Sequence, residues 1–366
     1  MRPKETQLPD EPPVCTTPLV VAPPLYSERL VLVTIILNSY HLRNLDRCYR
    51  QFDGDLQLAL VLGEIGLNHF SGDPSGANSN PGTQPLLDAL LRNRVLVASP
   101  DPANASVLSR ATGIPRETVR RKIAGLLQRG WIAETPAGGY RVTERTLDYF
   151  GYAFTLEVMN DFVATDSHLR TILELEPLAK PPWTERSARS IVNHQSPITR
   201  HALFSRQASS IFSENPPWSA PHLQMLVTVV HGCNLRHLKR LHAAFGGDLI
   251  LCIVLGEIAH FNVMAALSRP AGSLDEAETL IESCYRNRKQ TECNAFSLSE
   301  AIGIPRETVR RKIAQMVQWG WLERTAQGGY VATTQPRHHF GPSLNVEMLN
   351  DFLDTGARLR TLMVMD

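Results

Sequence analysis

The stretch Gly113-Ile-Pro-Arg-Glu-Thr-Val-Arg-Arg-Lys-Ile-Ala124 returns letter for letter as Gly303 to Ala314, 190 positions later. Gly113 can take a positive φ without a Cβ clash and reads as a turn. Pro115 then suits the first turn of a helix, where a missing N–H costs little. Along Arg116–Arg129 the apolar residues Val119, Ile123, Leu126 and Leu127 form one stripe that faces a core. The opposite face presents Arg116, Glu117, Arg120 and Arg121. Its second copy presents Arg306, Glu307, Arg310 and Arg311. Gly130 ends the helix, as Gly commonly does. Upstream, Val107-Leu-Ser-Arg-Ala-Thr112 reads as a short helix. Downstream, Trp131-Ile-Ala-Glu alternates as a strand, Pro136-Ala-Gly-Gly forms a tip, and Tyr140-Arg-Val returns with Arg141. The order is helix, turn, helix, β-hairpin wing.

The run Gly113-Ile-Pro-Arg-Glu-Thr-Val-Arg-Arg resembles the helix-turn-helix of the cyclic-AMP receptor protein family, whose recognition helix also reads Arg-Glu-Thr-Val-x-Arg. The wider arrangement is similar to winged-helix regulators such as the MarR group. The likeness covers about 35 residues in each copy. It implies that Arg116, Glu117 and Arg121, with Arg306, Glu307 and Arg311, contact bases. Thr118, Arg120, Lys122 and Arg141, with Thr308, Arg310 and Lys312, complete the DNA-facing set. The chemistry agrees: Arg pairs bidentately with guanine O6/N7 and Glu accepts from cytosine N4. Two departures stand out. Pro115 and Pro305 replace the usual Ser cap, and Lys122 and Lys312 occupy a position that is normally apolar.

The duplication extends well beyond this run. Phe52-Asp-Gly-Asp-Leu56 with Val61-Leu-Gly-Glu-Ile65 returns as Phe245-Gly-Gly-Asp-Leu249 with Val254-Leu-Gly-Glu-Ile258. Arg92-Asn-Arg94 returns as Arg286-Asn-Arg288, and Asn160-Asp-Phe162 as Asn350-Asp-Phe352. The copies span 23–175 and 216–366, after a Pro/Thr-rich tail over 1–22 that reads as disordered. A linker over 176–215 joins them, with room for a short helix at Ala188–Arg206. Within copy one the expected order is helices at 27–52, 54–70 and 84–95, a loop at Ser71–Gln84, the reader at 104–143 and a closing helix at 145–173. Between the copies Leu126 became Met316 and Leu127 became Val317 in the apolar stripe, while positions 116 to 122 did not change. A purely structural unit would let its exposed residues drift first.

Composition sets the limits. The 366 residues leave room for two domains, and the net charge of +1 hides an uneven distribution. Residues 107–143 carry an excess of five positive charges, residues 297–333 an excess of two. The basic footprint of a DNA contact is therefore stronger in the first copy. The six cysteines show no CxxC and no Cys/His spacing typical of zinc, which fits a reduced, cytoplasmic setting. Cys252 reads as a core residue. Histidines 231, 237, 242, 260, 338 and 339 form no His–His ligand pair and read as surface or satisfied core. The apolar runs Leu30–Leu37 and Leu56–Gly63 are too short to span a membrane. There is no GxxxxGK[ST], GxSxG or GxGxxG in the required context, so neither enzyme nor cofactor is expected. Gly63-Glu-Ile-Gly faintly resembles a cyclic-nucleotide phosphate cassette but lacks the Arg-Ser that holds the phosphate. Glu64 and Glu257 are expected to pair with Arg92 or Arg94 and with Arg286 or Arg288.

The expected fold is mainly α: two tandem winged helix-turn-helix domains with helical extensions. The expected function is sequence-specific DNA binding, as a bacterial transcription regulator acting as a covalent pseudo-dimer on double-stranded DNA, or as a homodimer. The alternatives are a plasmid-type replication initiator and a winged-helix scaffold for protein partners. Any small-molecule effector is left open.

Overall fold

The structure is a computed structural model that describes residues 11–13, 22–23, 25–71, 103–136, 138–175, 220–267, 273–286 and 290–364. Most of the tail at 1–22, the expected loop and helix over 72–95 and the linker helix at Ala188–Arg206 lie outside the described residues. The fold is mainly α. The first half runs α1 (Leu30–Gln51), α2 (Leu56–Ser71), α3 (Ala105–Thr112), α4 (Arg116–Gln128), β1 (Ile132–Glu134), β2 (Tyr140–Val142) and α5 (Glu144–Ile172). The second half repeats that order as α6 (Ala220–Ala244), α7 (Leu249–Leu267), α8 (Leu274–Arg286), α9 (Ala295–Ile302), α10 (Arg306–Gln318), β3 (Leu322–Arg324), β4 (Tyr330–Ala332) and α11 (Gln335–Val364). The sequence counterpart of α8, at about 80–92, lies outside the described residues. Among the described residues no single helix is long and apolar enough to cross a membrane.

The two closing helices differ. α5 is continuous over 29 residues, whereas α11 is broken at Gly341, whose φ of 64° and ψ of 173° interrupt the helix just before Pro342. Proline lacks the N–H that a continuous helix needs there.

Several of the retained residues outside the reader lie where the halves meet. Phe162 of α5 stacks on Phe352 of α11 with ring centroids 4.3 Å apart. Gly63 of α2 faces Leu235 of α6, and Gly256 of α7 faces Leu42 of α1. A Cβ added at Gly63 would meet Leu235 at 3.0 Å, and one added at Gly256 would meet Leu42 at 2.7 Å. Leu42 and Leu235 are sequence counterparts, so the contacts are reciprocal, as a twofold relation between the halves requires. Glycine in Val-Leu-Gly-Glu-Ile therefore serves close helix approach, and no phosphate cradle is needed to account for it.

Glu64 has a partner in the other half. Its carboxylate bonds Lys239 of the other half, reached across the junction that Gly63 opens. Arg92 and Arg94 lie outside the described residues, as does Arg288. Arg286 does not bury itself against Glu257: its side chain is 77% exposed and meets Glu282 one helical turn away at 3.8 Å. A carboxylate on α8, Glu278, instead caps the start of α1, accepting from Val31 N at 2.5 Å and Leu32 N at 2.9 Å. Those two donors are among the four that a helix start leaves unpaired.

A buried ionic network repeats in both halves. Arg43 of α1 grips Asp161 of α5, with Nη2 2.6 Å from Oδ1 and Nε 3.0 Å from each carboxylate oxygen. It also donates to Thr165 at 3.2 Å, while Arg47 donates to Asp161 at 2.5 Å and to Glu157 at 2.8 Å. In the second half Arg236 grips Asp351 and reaches Thr355 at 3.2 Å, and Arg240 bridges Asp351 and Glu347. The network ties the first helix of each half to its closing helix. Its sequence trace is Leu42-Arg43-x-Leu45-x-Arg47 against Leu235-Arg236-x-Leu238-x-Arg240, a second retained pattern that the sequence reading did not use.

Candidate nucleic-acid interface

Asn104 caps α3, its Oδ1 accepting from Ser106 N at 3.0 Å and Val107 N at 3.1 Å. Gly113 then closes the helix in the left-handed region at φ 71°, and Gly303 does the same for α9 at φ 67°. Ser109 Oγ reaches across this turn to Ile114 O at 2.7 Å, and Ser299 Oγ to Ile304 O at 2.7 Å. The crossing of α3 with α4 is thus pinned by the same side-chain bond in both halves. Val119, Ile123 and Leu126 bury one face of α4; Val309, Ile313 and Met316 bury the matching face of α10.

Leu127 and Val317 do not belong to that stripe. They are 36% and 38% exposed, because one further residue turns the helix by about 100° away from the core. Of the two stripe changes, only Leu126 to Met316 therefore falls in the core.

The outward face keeps the expected residues. Arg116, Glu117, Arg120 and Arg121 are exposed, Thr118 is half-buried, and Arg306, Glu307, Thr308, Arg310 and Arg311 repeat this. Glu117 pairs with Arg120 one turn along, and Glu307 with Arg310 at 3.3 Å. Such exposed pairs contribute at most about 1 kcal/mol and open readily to a better partner. Arg306 also lies over the Phe296 ring, 5.5 Å from its centroid. Among the described residues Arg116, Arg121 and Arg311 have no ion-pair partner. A helix bearing unpaired guanidinium groups is chemically suited to bind an anion or the edge of a base.

Lys122 and Lys312 do not join them. The half-buried Lys122 turns back to Asp55 Oδ2 at 2.5 Å, and Lys312 to Asp248. The position that resembling proteins fill with an apolar residue faces inward here too, and the ammonium is satisfied by a carboxylate beside it. Both lysines leave the set of DNA-facing residues.

The hairpins pair antiparallel with Ile132 opposite Val142 and Leu322 opposite Ala332. Trp131 and Trp321 are buried beneath them, against Phe52 at 6.0 Å and Phe245 at 6.4 Å between ring centroids. Arg141 is exposed on β2, but its counterpart is Val331. Likewise Arg110 and Arg129 are replaced by Glu300 and Trp319. The second half keeps its helix face and loses the bases around it.

One cluster escaped the sequence reading. Cys233, His237 and Asp351 bring ligand-capable atoms within 4.8 Å of one another. Cys233 and His237 stand one turn apart on α6, a spacing visible in the sequence but overlooked in a search for paired cysteines and paired histidines. Asp351, however, is already held by Arg236 and Arg240, and its counterpart Asp161 makes the same pairs where Tyr40 and Asn44 replace the cysteine and histidine. The carboxylate is thus an ion-pair partner. His237 Nδ1 also lies 2.8 Å from His41 Nε2 across the junction. Burial lowers the pKa of both histidines, so the pair is neutral. Cys252 is a buried core residue, as expected, and burial pushes its thiol up.

No protein-family model, curated protein or solved structure matches the chain.

Proposed function

We propose that the chain is a sequence-specific DNA-binding protein built from two winged helix-turn-helix units, acting as a covalent pseudo-dimer in bacterial transcription regulation. The observation that carries the reading is the pair of outward faces on α4 and α10, identical over Arg116–Arg121 and Arg306–Arg311. Packing does not require them: the exposed arginines support neither core, yet they are the same in both halves while the bases around them changed. In this reading α4 and α10 each enter a major groove, and Arg116, Glu117, Arg121 and their counterparts read base edges. Arg110, Arg129 and Arg141 hold phosphates around the first helix. The reciprocal contacts between the halves orient the two readers about a twofold relation, so the target is an inverted repeat.

Selection of bound duplexes from a random pool tests this. Enrichment of two like half-sites in inverted order, centred about one helical turn apart, is expected. Affinity should fall as salt rises, and more steeply for the contacts of the first half, which carries more bases. Retention of all sequences alike would refute specific reading and leave a protein-interaction scaffold.

A further inference from the structure

Asp55 uses its two oxygens for two tasks. Oδ1 accepts from Leu58 N at 3.0 Å and starts α2, while Oδ2 holds Lys122 of α4. Asp248 does the same in the second half: Oδ1 accepts from Leu251 N at 3.0 Å, and its other oxygen holds Lys312 of α10. The turns that present these carboxylates are built alike. Asp53 and Gly54 lie at φ 52° and 83°, Gly246 and Gly247 at φ 60° and 89°. Each turn closes with a 2.7 Å backbone bond, Gly54 N to Tyr49 O and Gly247 N to His242 O. The geometry is not tolerant: three of these four residues are glycines in a region that other residues rarely adopt.

The middle turns of the same helices bear on the opposite half. Gly63 and Glu64, further along α2, meet Leu235 and Lys239 of α6; Gly256 of α7 meets Leu42 of α1. Each outward-facing helix is thereby connected through a lysine, a carboxylate, one straight helix and a glycine contact to the other half. Lys122 directly follows Arg121, so holding its ammonium also fixes how far α4 can rotate about its axis.

We infer that Asp55 and Asp248 are positioning residues that lock the two reading helices to a rigid junction, so that the protein accepts DNA half-sites at one spacing only. The inference rests on the DNA reading above and goes beyond it: without the two carboxylates the helices would stay packed through Val119, Ile123 and Leu126 and their counterparts, but with a looser tilt and rotation. Inserting one base pair between half-sites moves one of them by ~3.4 Å and turns it by ~35°. A locked span cannot follow that movement, whereas a loosened one can.

The test uses Asp55→Asn with Asp248→Asn in the full chain. Asparagine is as good a helix cap as aspartate, so α2 and α7 keep their starts and only the negative charge facing each lysine is lost. Spin labels attached by non-cysteine chemistry at the exposed positions Ala124 and Ala314 report the span between the helices without DNA. The expected result is one narrow distance for the parent and a broadened distribution for the double variant. Lys122→Arg with Lys312→Arg, which keeps a cation on each carboxylate, should stay narrow. On selected DNA the parent should lose about tenfold or more in affinity on a one-base-pair insertion, and the double asparagine variant about threefold or less. An unchanged distance distribution in the asparagine variant overturns the lock. So does equal tolerance of the insertion by parent and variant, although sequence-specific binding would then still stand. If no duplex sequence is preferred, the DNA reading fails, and the label distances still decide whether the carboxylates fix the span.

Discussion

Asp161→Ala is expected to destabilise the folded protein by about 3–5 kcal/mol, because it strands two buried guanidinium groups at once. The Arg43 and Arg47 side chains are 8% and 9% exposed, and Asp161 receives bonds from both. The equivalent Asp351→Ala should cost less, about 1–3 kcal/mol, since Arg236 and Arg240 are 30% and 25% exposed and water can replace part of the lost partner. Urea denaturation followed by circular dichroism measures both. A loss below about 1 kcal/mol for Asp161→Ala would mean that the network does not hold α1 to α5.

The same network sets part of the response to acid. The neighbouring arginines hold the Asp161 carboxyl below its ordinary value despite burial, and Arg236 with His237 does so for Asp351. For a lowered carboxyl, the stability is complete above the unfolded value of about 3.9 and is lost as pH falls through the folded value. The buried histidines act earlier. Burial brings His168 and His231 down to about 4 and lowers His41 and His237. A histidine lowered in the fold favours folding above about pH 6.5 and loses that contribution on acidification. Asp166 works against this, because burial raises it to about 6 and its protonation favours the folded state. Burial also lowers His242 and raises Glu278, and the five histidines outweigh the two carboxyls. Urea midpoints should therefore fall between pH 7.5 and pH 5.5 and fall again below pH 4; a midpoint unchanged down to pH 4.5 would contradict this assignment.

Arg121→Ala combined with Arg311→Ala is expected to weaken binding to a selected duplex by about 2–6 kcal/mol, at about 1–3 kcal/mol for each lost base contact. Both side chains are exposed and neither holds an ion-pair partner among the described residues, so the thermal midpoint should not move. Each single variant should relax one base position in one half-site. Competition titrations against mismatched duplexes measure the loss. Parent-like affinity in the double variant would show that these helices do not read DNA, even if the protein binds duplexes by other residues.

Periodicity and punctuation made the elements legible. The glycines at 113, 130, 303 and 320 end helices in the left-handed region, and the Gly138-Gly139 and Gly328-Gly329 tips join paired strands. The exposed face of α4 could be read for the same reason, because a 3.6-residue period divides a helix into two sides. Partners were harder. Periodicity says which way Glu64 points but not that Lys239, 175 positions on, would meet it. Lys122 looked exposed by its charge; Asp55, 67 positions earlier, makes an inward lysine affordable. The break at Gly341-Pro342 falls where the first copy has Gly151-Tyr152 in a continuous helix, so that the proline alone marks the difference in the letters. His41 and His237 face each other because their positions are exchanged with Asn234 and Asn44 between the copies, a relation that only the packed halves reveal.

The central claim is that one chain places two like readers on one duplex. Hydroxyl-radical footprinting of the parent on its selected site tests it most directly. Two protected patches related by inverted symmetry and about one helical turn apart are predicted, with Arg311→Ala erasing one of them. A single patch that Arg311→Ala leaves unchanged would contradict it.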